Sequence, residues 1–270
     1  MARAMSLRPM GILEIVDQSF RLYRSNFLVF FGIAAVVYVP AQVVQSIPLV
    51  GPFVAMVYIP LYLIASAAMT QAVSDRYLGV QATIGGAYNA VGRRFWPLLG
   101  TMIVAYLFVL SGILLLVVGA IVFAFWVLFV SQVFVIEDKR YMQAVWRSRF
   151  LIGQGVWGEA IVLGIIVAVL TGIIEAAAGA AMGAPLFVAT GNAEEAVRSP
   201  YLLLVLGLVQ SLVFPIGQAA TVLLYYDSRI RKEGFDLMML AREMGMAPPQ
   251  AAAPSADSGQ GPVPGPGQSV

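Results

Sequence analysis

The sequence predicts an all-α integral membrane protein: six transmembrane helices arranged as three hairpins, each preceded by a cytoplasmic amphipathic helix. Three observations predict it. From Phe27 to Ser74, and again from Phe95 to Ile136, no Asp, Glu, Lys or Arg interrupts the chain. Each run is long enough for two passages of roughly 20 apolar residues. Of the 270 residues 60% are hydrophobic and only 11% charged, with a mean hydropathy of +0.86, whereas an average soluble domain carries about 25% charged residues. Finally, the basic residues recur just before or after the apolar runs.

The opening unit begins after Pro9. Glu14, Asp17, Gln18, Arg21, Arg24 and Ser25 fall at steps of three and four, with Ile12, Ile15, Val16, Phe20 and Tyr23 on the opposing stripe, the pattern of an amphipathic helix. It either lies on the membrane surface or packs as an ordinary surface helix. Asp17 precedes Arg21 by four residues, the orientation that favours a helical ion pair. The first two spans follow at about Asn26–Ile47 and Pro52–Val73, parted by a turn at Pro48–Gly51. Pro40 and Pro60 kink them, which a bilayer protein tolerates when neighbouring helices compensate. No continuous apolar segment precedes the first charged helix, so the first span, rather than a cleaved signal peptide, is expected to direct the chain to the membrane.

A polar interval from Ser74 to Arg94 repeats the arrangement, with Ile84, Ala87, Tyr88, Val91 and Phe95 at helical spacing. The uncharged run that follows divides near Gly119 into a third span and a shorter fourth. Trp96 and Trp126 are candidates for interfacial anchors. The third unit starts with Glu137–Phe150 and leads through a glycine-broken link, Gly153–Gly158, to a fifth span at about Val156–Ala178. Gly164, Ala168, Gly172, Ala176 and Ala180 recur there every four residues, a ridge that lets another helix approach closely. Gly179–Pro200 reads as a long loop. The sixth span, Tyr201–Tyr226, carries Gln210, Pro215 and Gln218 and ends in the charged block Asp227–Lys232; Gly234 stops the helix and Asp236 caps a short one after it. Residues 1–246 form the membrane domain. The Pro/Gly/Ala-rich residues 247–270 read as a disordered cytoplasmic tail.

With the N-terminus inside, the cytoplasmic segments hold Arg3, Arg8, Arg21, Arg24, Arg76, Arg93, Arg94, Lys139, Arg140, Arg147, Arg149, Arg229, Arg231, Lys232 and Arg242, leaving only Arg198 outside. This bias requires an even number of spans and puts both termini in the cytoplasm. The repeated units are either divergent copies or the pattern any hairpin protein shows under the same rule.

The chain has no Cys and no His, which excludes disulfides, thiolate nucleophiles, Cys/His zinc sites and imidazole bases. No phosphate-binding or dinucleotide loop is present; Gly85-Gly86 lacks the spacing. No cofactor or metal is expected, and the dispersed basic residues do not suit nucleic acid. The candidate contacts for anionic lipid headgroups or a protein partner are Arg93, Arg94, Arg147, Arg149, Arg229, Arg231 and Lys232; the alternative for the last three is anchoring by local ion pairs. A second copy of the chain is another expected partner. Two carboxylates, Glu159 and Glu175, lie within or beside span five and are functional candidates by default. Sixteen residues apart, they are separated by about 24 Å along a helix and each would sit near an interface. Glu175, close to the small-residue ridge, is the one suited to a cavity or proton path.

The stretch YYDSRIRKEGFDLMMLARE from Tyr225, with FRLYRSNF from Phe20 and RRFWPLLG from Arg93, resembles the membrane domain associated with glycerophosphoryl diester phosphodiesterases. In fuller members of that family a separate barrel cleaves glycerophosphodiesters with histidine and metal-binding carboxylates. Lacking any histidine or a barrel, this chain does not inherit the activity. The resemblance implies a non-enzymatic, multi-pass protein of a bacterial cytoplasmic membrane, a scaffold or lipid-organising component. The alternative is a transporter or lipid carrier built on the kinks at Pro40, Pro60 and Pro215 with Gln42, Gln45, Gln210 and Gln218; a polar cavity within the bilayer favours it, and a closed apolar bundle favours the scaffold.

Overall fold

The regular elements of the computed structural model, which describes residues 9–47, 51–153 and 156–235, without the side chains of 51–59 and 114–118, are all helical. The first is α1 (Ile12–Ser25). It buries Ile15, Ser19 and Leu22 and leaves Leu13 and Phe20 exposed, so the inward stripe runs one step away from the Phe20 side that apolar residues alone suggest. The Ser19 hydroxyl is accommodated there by donating to Ile15 O at 2.7 Å. The Asp17–Arg21 pair forms at 2.6 Å. Asn26 breaks the path, its side-chain amide donating to Leu22 O at 3.0 Å, and α2 (Phe27–Gln45) leaves in a new direction.

Helix α2 and its return, α3 (Gly51–Tyr77), form the first antiparallel pair. Pro40 and Pro60 are both inside helices. The expected turn at residues 48–50 lies outside the described residues. Thr83 then caps α4 (Ile84–Gly92), accepting from Gly86 N–H at 3.1 Å, which satisfies one of the orphan donors of the first turn. Ala87 and Val91 are its buried residues, and Tyr88 donates to Ile33 O at 2.6 Å, tying α4 to α2. Helix α5 (Phe95–Ser111) departs from α4 at 73°, with Arg93 and Arg94 at the elbow.

The third span was expected to end near Gly119, but α5 stops at Ser111. A 3-10 turn, Gly112–Leu115, leads into α6 (Leu116–Trp126) and then α7 (Val130–Glu137). The cause is close packing: a Cβ on Gly112 would lie 2.7 Å from Gly119 O and 2.9 Å from Ala120 Cα. Gly119 thus packs against the turn without forming it. Helix α8 (Tyr141–Ile152) follows, with Ala144, Val145, Ser148, Leu151 and Ile152 buried.

A second correction concerns Gly179–Pro200. Instead of a loop, helix continues through α9 (Trp157–Thr190), and a short α10 (Ala193–Val197) follows it. Residues 179–190 contain four alanines and no charge, and Pro185 is held inside α9 without ending it; Gly191, at φ +65°, is the terminator. Helix α11 (Pro200–Glu233) then runs the whole length of the bundle and ends at Gly234, φ +59°. The expected cap at Asp236 and the tail 247–270 lie outside the described residues.

Helix α11 is the central post. It packs on α2, α9, α1 and α3, and its second half, from Val213 to Ile230, is buried at most positions. It approaches the α2 backbone closely at Gly207, where an added Cβ would lie 3.1 Å from Val39 Cα and 3.3 Å from Tyr38 O. By contrast, only Ala160 and Leu163, both near its start, are buried along α9. The small-residue ridge of α9 meets no close neighbour among the described residues: Gly164 and Gly172 have nothing within 4 Å of a built Cβ, so the helix expected to approach it is not one of these.

The protein is membrane-embedded. Among the described residues, Phe27–Gln45, Gly119–Glu137, Trp157–Thr190 and Pro200–Glu233 are long and apolar enough to cross a bilayer, and the bent pair α4 and α5 makes a fifth if counted as one span.

Candidate functional site

Two polar regions stand out, one at the charged end of the bundle and one inside it. At the charged end, Arg147 of α8 bridges the last residue of α7 and the last turn of α11. Its guanidinium donates to Glu137 at 2.7, 2.9 and 3.0 Å and pairs with Glu233. Arg229 reaches Glu233 at 3.2 Å and Glu137 at 3.7 Å, while Tyr225 donates to Glu137 Oε1 at 2.8 Å. Glu137 is 9% exposed; Arg147, Arg229 and Glu233 are each 15% exposed. Burial opposes the Arg147 charge, but the hydrogen bonds it donates to Glu233 and Glu137 and its attraction to them outweigh it and hold its pKa above the ordinary arginine value.

A second set of contacts fastens α1 and α9 to α11. Arg231 pairs with Glu159 and Asp227 at 2.8 Å each and donates to Met10 O at 2.6 Å; Met10 N–H donates to the buried Asp227 at 2.7 Å. Lys232 donates to Phe150 O and Gly153 O, both at 2.7 Å, completing the C-terminal carbonyls of α8. Arg149 lies over the rings of Trp126 and Trp146, at 4.1 and 5.0 Å. Of the basic residues singled out in the sequence, Arg147, Arg149, Arg229, Arg231 and Lys232 are thus engaged within the protein. Arg93 and Arg94 are exposed at the elbow, Arg94 pairing with the exposed Asp138 at 3.2 Å, and both line a cavity of about 270 Å³ with Gln71, Phe134 and Val135.

The Asp227 contact sets up a test. Asp227→Ala is expected to leave Met10 N–H without its acceptor and to cost about 1–3 kcal/mol. Amide exchange at the start of α1 should accelerate while exchange at α5 stays unchanged; unaltered protection of residues 10–15 would show that Asp227 does not hold this segment.

Glu159 and Glu175, the two carboxylates of α9, separate completely. Glu159 belongs to the charged end through Arg231. Glu175 lines a cavity of about 310 Å³ between α2, α3, α9 and α11, bordered by Tyr38, Tyr62, Gln210, Phe214 and Gln218. Thr171 and Thr221 add hydroxyls to the same wall. Two of the cavity's lining glutamines are held by neighbouring helices: Gln42 donates to Gln210 at 3.1 Å and Ser66 to Gln218 at 3.2 Å. Along α11 the cavity runs from Gln210 to Thr221, about 25 Å to about 9 Å from Asp227, so it begins above the ion pairs and extends away from them. Its geometry suits a ligand with a polar part, since intramembrane polar side chains gathered on one cavity mark a binding path by default.

No family model, no curated protein and no solved structure matches this chain.

The reading of the site therefore rests on its residues. Gln210, Gln218 and Glu175 were singled out from sequence, and the structure brings them to one cavity; Gln42 stands behind it, bonded to Gln210. Gln45 and the prolines 40, 60 and 215 are not among its lining residues. Tyr38, Tyr62, Phe214, Thr171 and Thr221 were missed. Their signal was spacing: Tyr38–Gln42, Thr171–Glu175 and Gln210–Phe214–Gln218 each step by four, so each set shares a helix face. Among the described residues, no group of three or more His, Cys, Asp or Glu is placed to hold a metal ion.

Proposed function

We propose that this chain is a non-enzymatic membrane protein that binds and relocates an amphiphilic molecule, a lipid carrier in the broad sense, through the cavity between α2, α3, α9 and α11. One observation carries the reading: Glu175, Gln210 and Gln218 line a single cavity within the membrane-crossing part of the bundle. A scaffold needs no such cavity, and polar side chains facing the apolar part of a membrane are costly unless they are put to use. The volume, near the lower end of the roughly 300–1,000 Å³ usual for ligand sites, suits a headgroup rather than a whole lipid. Helix α9 packs on α11, α1 and α10 but not closely on α2 or α3, so an acyl chain has a lateral way out.

In this reading the chain crosses the membrane six times as three hairpins, α2/α3, α5 with α6 and α7, and α9/α11, introduced by the cytoplasmic amphipathic helices α1, α4 and α8. Helix α3, at 27 residues, is the second passage, where the sequence places the span Pro52–Val73. The one-sided distribution of Arg and Lys supports cytoplasmic termini, and the resemblance of Tyr225–Glu243 to phosphodiesterase-associated membrane domains supports a bacterial cytoplasmic membrane. Arg93 and Arg94, at the elbow and exposed, are the basic residues best available to anionic headgroups.

The test compares two photoreactive side chains on α9, one replacing Thr171, which lines the cavity, and one replacing Ile173, which is 63% exposed on another flank. Cross-linked lipid recovered through position 171 should be enriched in one class relative to position 173. Identical lipid profiles at the two positions would leave the scaffold reading in its place.

A further inference from the structure

The lining of this cavity is selective in sign. Glu175 makes no ion pair or hydrogen bond among the described residues, and neither Lys nor Arg lines the cavity. Glu175 is exposed at the mouth of the cavity, and with no cationic side chain beside it the carboxylate is open to a positively charged group from outside the protein. Around it stand three aromatic rings. The ring centroids of Tyr38 and Phe214 are 5.0 Å apart, those of Tyr62 and Phe214 5.8 Å, and those of Tyr38 and Tyr62 6.5 Å, crossing at 58°, 67° and 77°. Tyr38, 1% exposed, backs Tyr62, 38% exposed, and the half-buried Phe214, whose free aromatic surface is of the kind that attracts ammonium groups and gains most where water is scarce.

Resting on the cavity reading above, we infer that the cavity takes the cationic end of an amphiphile: an ammonium-bearing headgroup paired with Glu175 and set against Tyr38, Tyr62 and Phe214. Gln210 and Gln218 supply amide groups for the polar atoms next to the cation, and the hydrocarbon chain leaves between α9 and α3. An anionic headgroup finds no donor of positive charge here and meets the Glu175 carboxylate instead, so the same lining that admits an ammonium excludes a lone phosphate.

Three diazirine-bearing probes of equal chain length test this with the full-length protein in lipid nanodiscs: an alkyl trimethylammonium, an alkyl alcohol and an alkyl phosphate. The ammonium probe should label α9 and α11 peptides around residues 167–175 and 210–221 about tenfold more than either other probe. Glu175→Gln and Tyr38→Leu should each remove most of that preference, while Glu175→Asp, which keeps the charge, retains it. Equal labelling by all three probes, or a preference unchanged in Glu175→Gln, overturns the headgroup assignment and leaves the amphiphile cavity standing. Absence of labelling at these peptides by any probe overturns both.

Discussion

Replacing Arg147 with methionine is expected to destabilise the protein by about 3–5 kcal/mol, because it leaves Glu137 and Glu233 buried without their shared cation. The single guanidinium binds carboxylates at the ends of two different helices from a third, so its loss removes the polar link among α7, α8 and α11 at once. Arg229 stays within 3.7 Å of Glu137 and offsets only part of the uncompensated charge. The measurement is an unfolding titration in mixed micelles followed by tryptophan fluorescence. Adding Glu137→Gln and Glu233→Gln to Arg147→Met should recover most of the loss, since neutral amides are far cheaper to bury than charges. A single variant within 1 kcal/mol of the parent, or a triple variant no better than the single, would remove the cluster from its structural role.

Gly207→Leu is expected to cost about 3 kcal/mol, at the upper end for overpacking. The obstacle at this position is main chain, Val39 Cα and Tyr38 O, which cannot swing aside as a side-chain tip would. Helices α2 and α11 must part, and the Gln42–Gln210 bond, three residues further along α11, should break with them. A spin-label pair on α2 and α11 should report a longer distance in Gly207→Leu, and the cavity cross-linking at position 171 should lose its lipid selectivity. Gly207→Ala tests the same contact more gently, and its smaller loss should follow the same order. If Gly207→Leu keeps both the parent distance and the parent stability, the close approach is not required.

The helical fold and its setting in a bilayer were legible from sequence because charge-free runs of this length have few physical solutions: every backbone group must be satisfied inside the segment. The stop at Gly234 was also readable, whereas the cap at Thr83 was not singled out. What was not readable depended on contacts between distant segments. The turn at Gly112 rather than Gly119 is decided by which glycine faces a backbone, and both are equally apolar in sequence. Gly179, Gly183 and Pro185 look like loop formers, yet a long helix accepts them where lipid or a neighbour leaves no competing hydrogen-bond partner for the chain.

The cavity shows the same division. Glu175 and the glutamines are conspicuous because polar residues are rare in such helices, and their type alone singles them out. Tyr38 and Phe214 are aromatic residues among many, and only their place beside Gln42 and Gln210 makes them part of a site. The basic residues divide for a different reason. Composition weighs Arg93 and Arg147 alike, but Arg147 faces two carboxylates supplied by sequences 10 and 86 residues away, whereas Arg93 stands at an elbow between helices.

Helix α9 has one further implication. Its foot is fixed by Glu159 and Arg231, and beyond Leu163 it buries no residue, leaning on α11 alone until α10. Under the proposed carrier function the surrounding bilayer would act as the missing wall, and its lateral pressure would set how widely the mouth beside α9 stands open. Extraction into detergent replaces that wall with a softer one, so acyl-chain length and packing belong among the controls on what this protein can hold.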